Sequence, residues 1–220
     1  MLELQHSMNS IVHVDWVAQK YAWYRAAWIE AAELLDHVGW KWWKHQTVDR
    51  EQLVLELVDI WHFALSDFIQ HHLSEKATRN TSETLAQCAK LIAGYLKEAE
   101  TQTFSTAKDL LADEQLRLEV ERFAHHCLHA KEVNIPALLS LFKAASLDFD
   151  ELFRKYIGKN VLNRFRQDHG YKDGSYIKVW GALGEDNEVL AGLVASLDST
   201  KPDFSGQVYE GLSKHYPESN

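Results

Sequence analysis

Two apolar stretches, Trp28 to Asp36 and Leu53 to Phe63, each carry a pair of acids three residues apart: Glu30 with Glu33, and Glu56 with Asp59. On a helix such a pair shares one face, one turn apart. The flanking residues are apolar nearly all the way round, the pattern of helices buried on most of their sides. Four carboxylates in that setting would protonate or cost several kcal/mol each unless a cation lies among them. Gly39 is placed to cap the first helix, which the spacing predicts from about Tyr21. Asp49 with Gln52 resembles a capping box, so the second helix is predicted to begin near Arg50 and run to about His72. A short link makes the two antiparallel neighbours and brings Glu30 and Glu33 across from Glu56 and Asp59.

The rest of the chain fits that frame. Three prolines and ten glycines interrupt 220 residues, and no run alternates over strand length. The class is therefore all-α, read as a single domain over residues 1–220 in which the two acidic helices form the core of a bundle. A net charge of −9 disfavours nucleic acid and anionic membranes as partners. Met1 to Gln5 has no basic start or apolar core of a signal peptide, and no apolar run approaches a membrane span. A soluble, cytoplasmic protein is expected. Cys88 and Cys127 are read as reduced, partly buried thiols.

Outside the acidic helices, three segments carry chemistry. Gln5 and Asn9 are four apart on an opening helix, either as a solvated stripe or as two amides facing a nucleobase edge. Seven of the eight tryptophans lie between Trp16 and Trp61. In Trp40-Lys41-Trp42-Trp43-Lys44, lysine stems either lie over indoles or accompany a stacking ring and a phosphate contact. Phe153 to Lys178 is basic within an acidic protein. Lys159, Asn163 and Arg166 occupy i, i+4 and i+7 on one face, Gly170 ends the helix, and a loop through Lys172, Gly174, Tyr176 and Lys178 follows. Between 73 and 150 the spacing predicts helices over 81–98, 113–130 and 135–145, joined by polar connections at 74–83 and 100–108 that make this a variable, mobile helical region. His125 and His129 are four apart, but no further ligands accompany them, and they read as helical surface residues. Acids at 185–186 start a further helix, and a last amphipathic turn or two is expected near Val208 to Tyr216.

Oxygen ligands at helical spacing favour Mg²⁺, which retains waters and takes phosphate oxygens as its other ligands. Facing a basic helix, they suit in-line attack by water on a phosphoryl group, with one carboxylate orienting the water. Two rivals stand beside this. A di-iron bundle would use Asp59-x-x-His62, although no second copy of that form is present. A non-enzymatic helical module would pair the acids with Lys41, Lys44 or Arg25.

Glu30 to Asp36, Trp40 to Lys44, Glu56 to Phe63, and Tyr156 to Tyr176 make the chain resemble the dimeric all-α dUTP pyrophosphatases (dUTPases) of the all-α nucleotide pyrophosphatase superfamily. The resemblance implies a Mg²⁺-dependent homodimer that hydrolyses dUTP, and also dUDP, to dUMP. It implies Glu30, Glu33, Glu56 and Asp59 as metal ligands, with Glu30 or Glu33 also orienting the attacking water. Lys159, Asn163, Arg166, Lys172, Tyr176 and Lys178 would contact phosphates or ribose. Gln5, Asn9, Trp43 and Lys44 would line the base and sugar site, whereas His62 is read as helix packing. A related enzyme acting on another deoxynucleotide, such as dCTP, is the alternative. Uracil must be told from thymine by leaving no room for a methyl group, and closure of the 170–178 loop and the middle helices would sharpen the choice.

Overall fold

The computed structural model describes residues 1–74, 81–101 and 112–217. The described residues form nine α-helices and one 3-10 turn, with no strand among them. They are α1 (Leu2–Val12), α2 (Trp23–Val38), α3 (Arg50–Ser74), α4 (Thr81–Thr101), α5 (Ala112–Ala130), α6 (Ile135–Ala144), α7 (Phe149–Asp168), α8 (Asp186–Ser196) and α9 (Phe204–His215). Both polar connections expected to be mobile fall largely outside the described residues.

The helix starts follow local chemistry. Asp49 accepts from the Gln52 amide at 3.2 Å and starts α3; Asn134 and Asp148 do the same for α6 and α7. Glu185 and Glu188 form a reciprocal capping box on α8. Gly39 closes α2 at φ +82°, and a Cβ there would stand 2.8 Å from Gln46 Cβ, so the turn into the tryptophan-rich connection needs glycine.

Antiparallel α2 and α3 form the centre. Ala27, Ala31, Leu34 and Val38 of α2 are fully buried and meet Leu53, Leu57, Ile60 and Trp61 of α3 within one core cluster. α5 packs on the other side of α2, and α7 crosses α1 and α3. The buried stripe of α2 is narrower than its composition suggests. Glu33 is exposed, and Glu30, Glu56 and Asp59 are half-buried, so the acidic faces lie beside the core instead of entering it.

α7 carries the basic segment and is held at both ends. α8 lies so close that a Cβ on Gly158 would come within 2.6 Å of Val194 Cγ2. At the C-terminal end, Phe165, Trp180, Tyr209 and Tyr216 pack edge-on and tilted around one another.

Candidate active site

Helical periodicity puts Glu30 and Glu33 on the α2 face that meets Glu56 of α3. One carboxylate oxygen from each of the three lies within 4.8 Å of the others. Among the described residues this is the one group of three acidic, histidine or cysteine side chains close enough to share an ion. Burial, a hydrogen bond shared with Glu56, and the charges of Asp59, Glu56 and Glu33 push the Glu30 carboxyl up to about 8. Burial also raises Glu56. His37 Nε2 lies 3.5 Å from Glu56 Oε1, the one basic group among the described residues in ion-pair range of the three. Carboxylates crowded to the point of sharing a proton form a site that a hard cation would relieve, and an all-oxygen donor set suits such an ion.

Asp59 stands beside this trio, outside the three-residue group, with its charge acting on Glu30 and Glu56. Its Oδ2 accepts from Lys159 Nζ of α7 at 3.0 Å, and Lys159, almost fully buried, also reaches Asn187 Oδ1 at 3.5 Å. Arg166, two turns further on, donates from Nε and Nη2 to Asp186 at 2.8 and 2.9 Å and from Nη1 to Asn163 at 3.3 Å. Asp186 is completely buried and also accepts from the Tyr176 hydroxyl at 2.8 Å. That carboxylate thus sets the guanidinium plane and pins the following loop to it. Three of the five guanidinium N–H groups are used, leaving two for a ligand.

A cavity of about 270 Å³ joins these elements. Asp59, Asn163 and Arg166 line it together with Gln5 and Asn9 of α1, His62, Phe63 and Ser66 of α3, and Tyr21 and Trp23. Trp23 stacks on Phe63 at 29° and is anchored to Gln70 through its indole N–H at 3.0 Å. Gln5 and Asn9, four apart in sequence and separated from α3 by more than forty residues, thus share a chamber with Asp59.

The remaining sequence-derived candidates lie elsewhere. Trp43 and Lys44 sit in the connection between α2 and α3, both exposed, with Trp43 edge-on to Trp40 and Trp42; neither lines this cavity. Lys172 is exposed, and Lys178 is exposed and paired with Glu185 at 3.0 Å. His125 and His129 stack at 5.7 Å on the exposed face of α5 without a third ligand among the described residues. Cys88 and Cys127 are both buried. Sequence reasoning missed Asp186, Tyr156, Ser66 and Trp23, and it read His62 as packing although His62 lines the cavity. The stacked His62 and Tyr156 rings, 4.3 Å apart, unite both descriptions.

An all-helical scaffold, an oxygen-ligand cluster and a pocket of amides, aromatic rings and an arginine define the class: an all-α nucleotide hydrolase. A family profile described as dUTPase matches residues 1–171. The chain belongs to the dUTPase family, hydrolases that convert dUTP to dUMP. A comparison with curated proteins found no match. The family match ends at Tyr171, so Lys172, Tyr176, Lys178 and the Asp186 that anchors Arg166 lie beyond it. No helix among the described residues is long and apolar enough to cross a membrane.

Proposed function

We propose that this dUTPase hydrolyses dUTP, and dUDP as well, to dUMP with Mg²⁺ held by Glu30, Glu33, Glu56 and Asp59. The observation that carries the reading is the junction at Asp59. It lines the nucleoside-sized cavity with Gln5 and Asn9, and its charge acts on Glu30 and Glu56 in the acidic cluster. Base pocket and acidic site are thereby contiguous.

Bound Mg²⁺ would supply charge neutralisation at the phosphate oxygens. The chain's own groups do the rest. Glu33, the exposed member of the trio, or Glu30 beside it orients the attacking water and accepts its proton. The water oxygen bonds to phosphorus as the anhydride P–O bond breaks, releasing dUMP and pyrophosphate from dUTP. Lys159 and the two spare N–H groups of Arg166 hold phosphate oxygens, with Asn163 alongside. Lys172, Tyr176 and Lys178 reach the outer phosphates or ribose from the loop after α7. Gln5 and Asn9 read the base, and Trp23 and Phe63 form its wall.

The enzyme is further proposed to work as a cytoplasmic homodimer. Ile29 on α2 and Trp40, Trp42, Trp43 and Val48 in the connection are large apolar side chains left exposed, Trp42 at 90%, and such surface favours a protein partner. Sedimentation of the purified chain should give twice the mass of 25.4 kDa.

The decisive variant is Glu33→Gln. With Mg²⁺, wild type should release dUMP from dUTP, and the variant should lose at least ~10²-fold in kcat at unchanged helix content. Turnover of a folded Glu33→Gln and Glu30→Gln double variant at the wild-type rate would refute the assignment.

A further inference from the structure

Four side chains that line the cavity form a closed ring of hydrogen bonds that begins and ends on His62. Ser66 Oγ donates to the His62 backbone carbonyl at 2.8 Å. Asn9 Nδ2 donates to Ser66 Oγ at 3.0 Å, and Gln5 Nε2 donates to Asn9 Oδ1 at 3.0 Å. Gln5 Oε1 lies 2.8 Å from His62 Nδ1.

The direction of this ring is not arbitrary. A backbone carbonyl can only accept, so the Ser66 hydroxyl hydrogen is spent on it and the Ser66 oxygen must accept from Asn9. Asn9 therefore turns its NH₂ to Ser66 and its carbonyl to Gln5, and Gln5 turns its NH₂ to Asn9 and its carbonyl to His62. The only group His62 can offer an amide oxygen is an N–H, so the hydrogen sits on Nδ1 and Nε2 is left as a bare lone pair. The Tyr156 hydroxyl, shared with the Met1 carbonyl at 3.2 Å, donates to the same Gln5 oxygen at 2.9 Å and is compatible with that direction.

His62 Nε2 is buried with no hydrogen-bond partner, in a residue only 6% exposed. Burial holds the imidazole down to about 4, hence neutral. An unpaired buried acceptor costs free energy that a ligand donor recovers. Gln5 Oε1 already receives two donors, whereas each amide NH₂ has spent one hydrogen in the ring and keeps one. Side chains that line the chamber thus hold two uncommitted N–H donors and one unpaired acceptor.

We propose that His62 Nε2 accepts the N3–H of the pyrimidine and that the Ser66–Asn9–Gln5 ring is the device that keeps it an acceptor, making His62 the residue that selects uracil over cytosine. Uracil presents acceptor, donor, acceptor along O4, N3–H and O2, the complement of two amide N–H groups and one imidazole lone pair. Cytosine carries a lone pair at N3, which would face the lone pair of Nε2, and an amino group at C4 where uracil has its oxygen. The inference rests on the proposed base pocket. It adds that specificity is set by the tautomer of a histidine, and the tautomer by a serine that need not touch the base.

The test compares dUTP, dCTP and 2′,3′-dideoxy-UTP on wild type, His62→Leu and Ser66→Ala, with the ¹⁵N spectrum of the His62 ring recorded for wild type and Ser66→Ala. Wild type should show hydrogen on Nδ1, and His62→Leu should lose on the order of 10–100-fold of the dUTP over dCTP preference in kcat/KM. Ser66→Ala frees the ring to reverse: hydrogen should appear on Nε2 and the preference should fall, with the dideoxy ratio unchanged. If His62→Leu lowers both substrates equally, or if only the dideoxy ratio moves because Nε2 serves the 3′-hydroxyl, the proposal is overturned. A wild-type ring carrying hydrogen on Nε2 also overturns it, whatever the kinetics. Absence of wild-type turnover on any of the three nucleotides would instead strike at the pocket assignment itself.

Discussion

Glu30→Gln should make the metal-free protein more stable while removing its response to Mg²⁺. In the folded state, burial and then Glu56, Asp59 and Glu33 raise the Glu30 carboxyl from an ordinary 4.5 to about 8. Its protonated form is therefore favoured by folding. Stability from this group is fully present below about 4.5, falls as pH rises towards about 8, and is level above. At ~1.36 kcal/mol per pH unit the interval corresponds to roughly 5 kcal/mol. Glu30 is only half-buried, so solvent screening reduces this to about 2 kcal/mol. Glutamine has the shape of the protonated acid and no charge to lose. At pH 8 in EDTA the variant should melt ~4–8 °C above wild type, the range that 2 kcal/mol represents for a chain of this size. Its stability should vary less between pH 5 and 8. Added Mg²⁺ should raise the wild-type midpoint through binding to the folded state alone and leave the variant nearly unmoved. A variant that melts below wild type in EDTA at pH 8 would mean that Glu30 is held ionised by partners, and the crowding argument would fail.

Three further outcomes follow from the packing around α7. Asp186→Asn should cost ~3–5 kcal/mol of stability, because it leaves the half-buried Arg166 without its fully buried carboxylate partner; chemical denaturation measures it, and a loss under 1 kcal/mol would show that the pair is dispensable. Gly158→Ala should destabilise by ~1–2 kcal/mol despite the better helix propensity of alanine, since its Cβ would press on Val194 at 2.6 Å. Adding Val194→Ala should restore part of that loss, and no restoration would place the strain elsewhere. Lys178→Ala breaks only an exposed pair with Glu185, so the melting temperature should move little while kcat/KM for dUTP falls ~10-fold if the loop reaches the phosphates; unchanged kinetics would remove the loop from the site.

What could be read from the chain and what could not divide along the range of the interactions. Spacing of three placed Glu30 with Glu33 and Glu56 with Asp59, and the Asp49 cap marked the start of α3, because both depend on neighbours within a turn; the Asn134 and Asp148 caps obey the same local chemistry but were not picked out. The helices expected at 81–98, 113–130 and 135–145 appear at Thr81–Thr101, Ala112–Ala130 and Ile135–Ala144 for the same reason. The basic face of α7 was also legible, but not its partners. Lys159 meets an acid 100 positions away and Arg166 one 20 positions away, and no local pattern reveals such pairing. Likewise Gln5 and Asn9 were visible as two amides on one face. That they are tied head to tail, with directions dictated by Ser66 of another helix, emerges only once α1 is laid against α3. His62 looked like packing because its apolar neighbours dominate, and one of its faces does stack on Tyr156.

The central claim is that the Glu30, Glu33 and Glu56 cluster and the Gln5 and Asn9 chamber act on one substrate. The most direct measurement is nucleotide monophosphate release by the wild-type protein from dUTP, dUDP and dCTP, each with Mg²⁺ and with EDTA. The expected result is Mg²⁺-dependent dUMP release from dUTP and dUDP, with dCTP disfavoured at least ~10²-fold. Equal turnover of dCTP, or dUTP hydrolysis undiminished in EDTA, would contradict it.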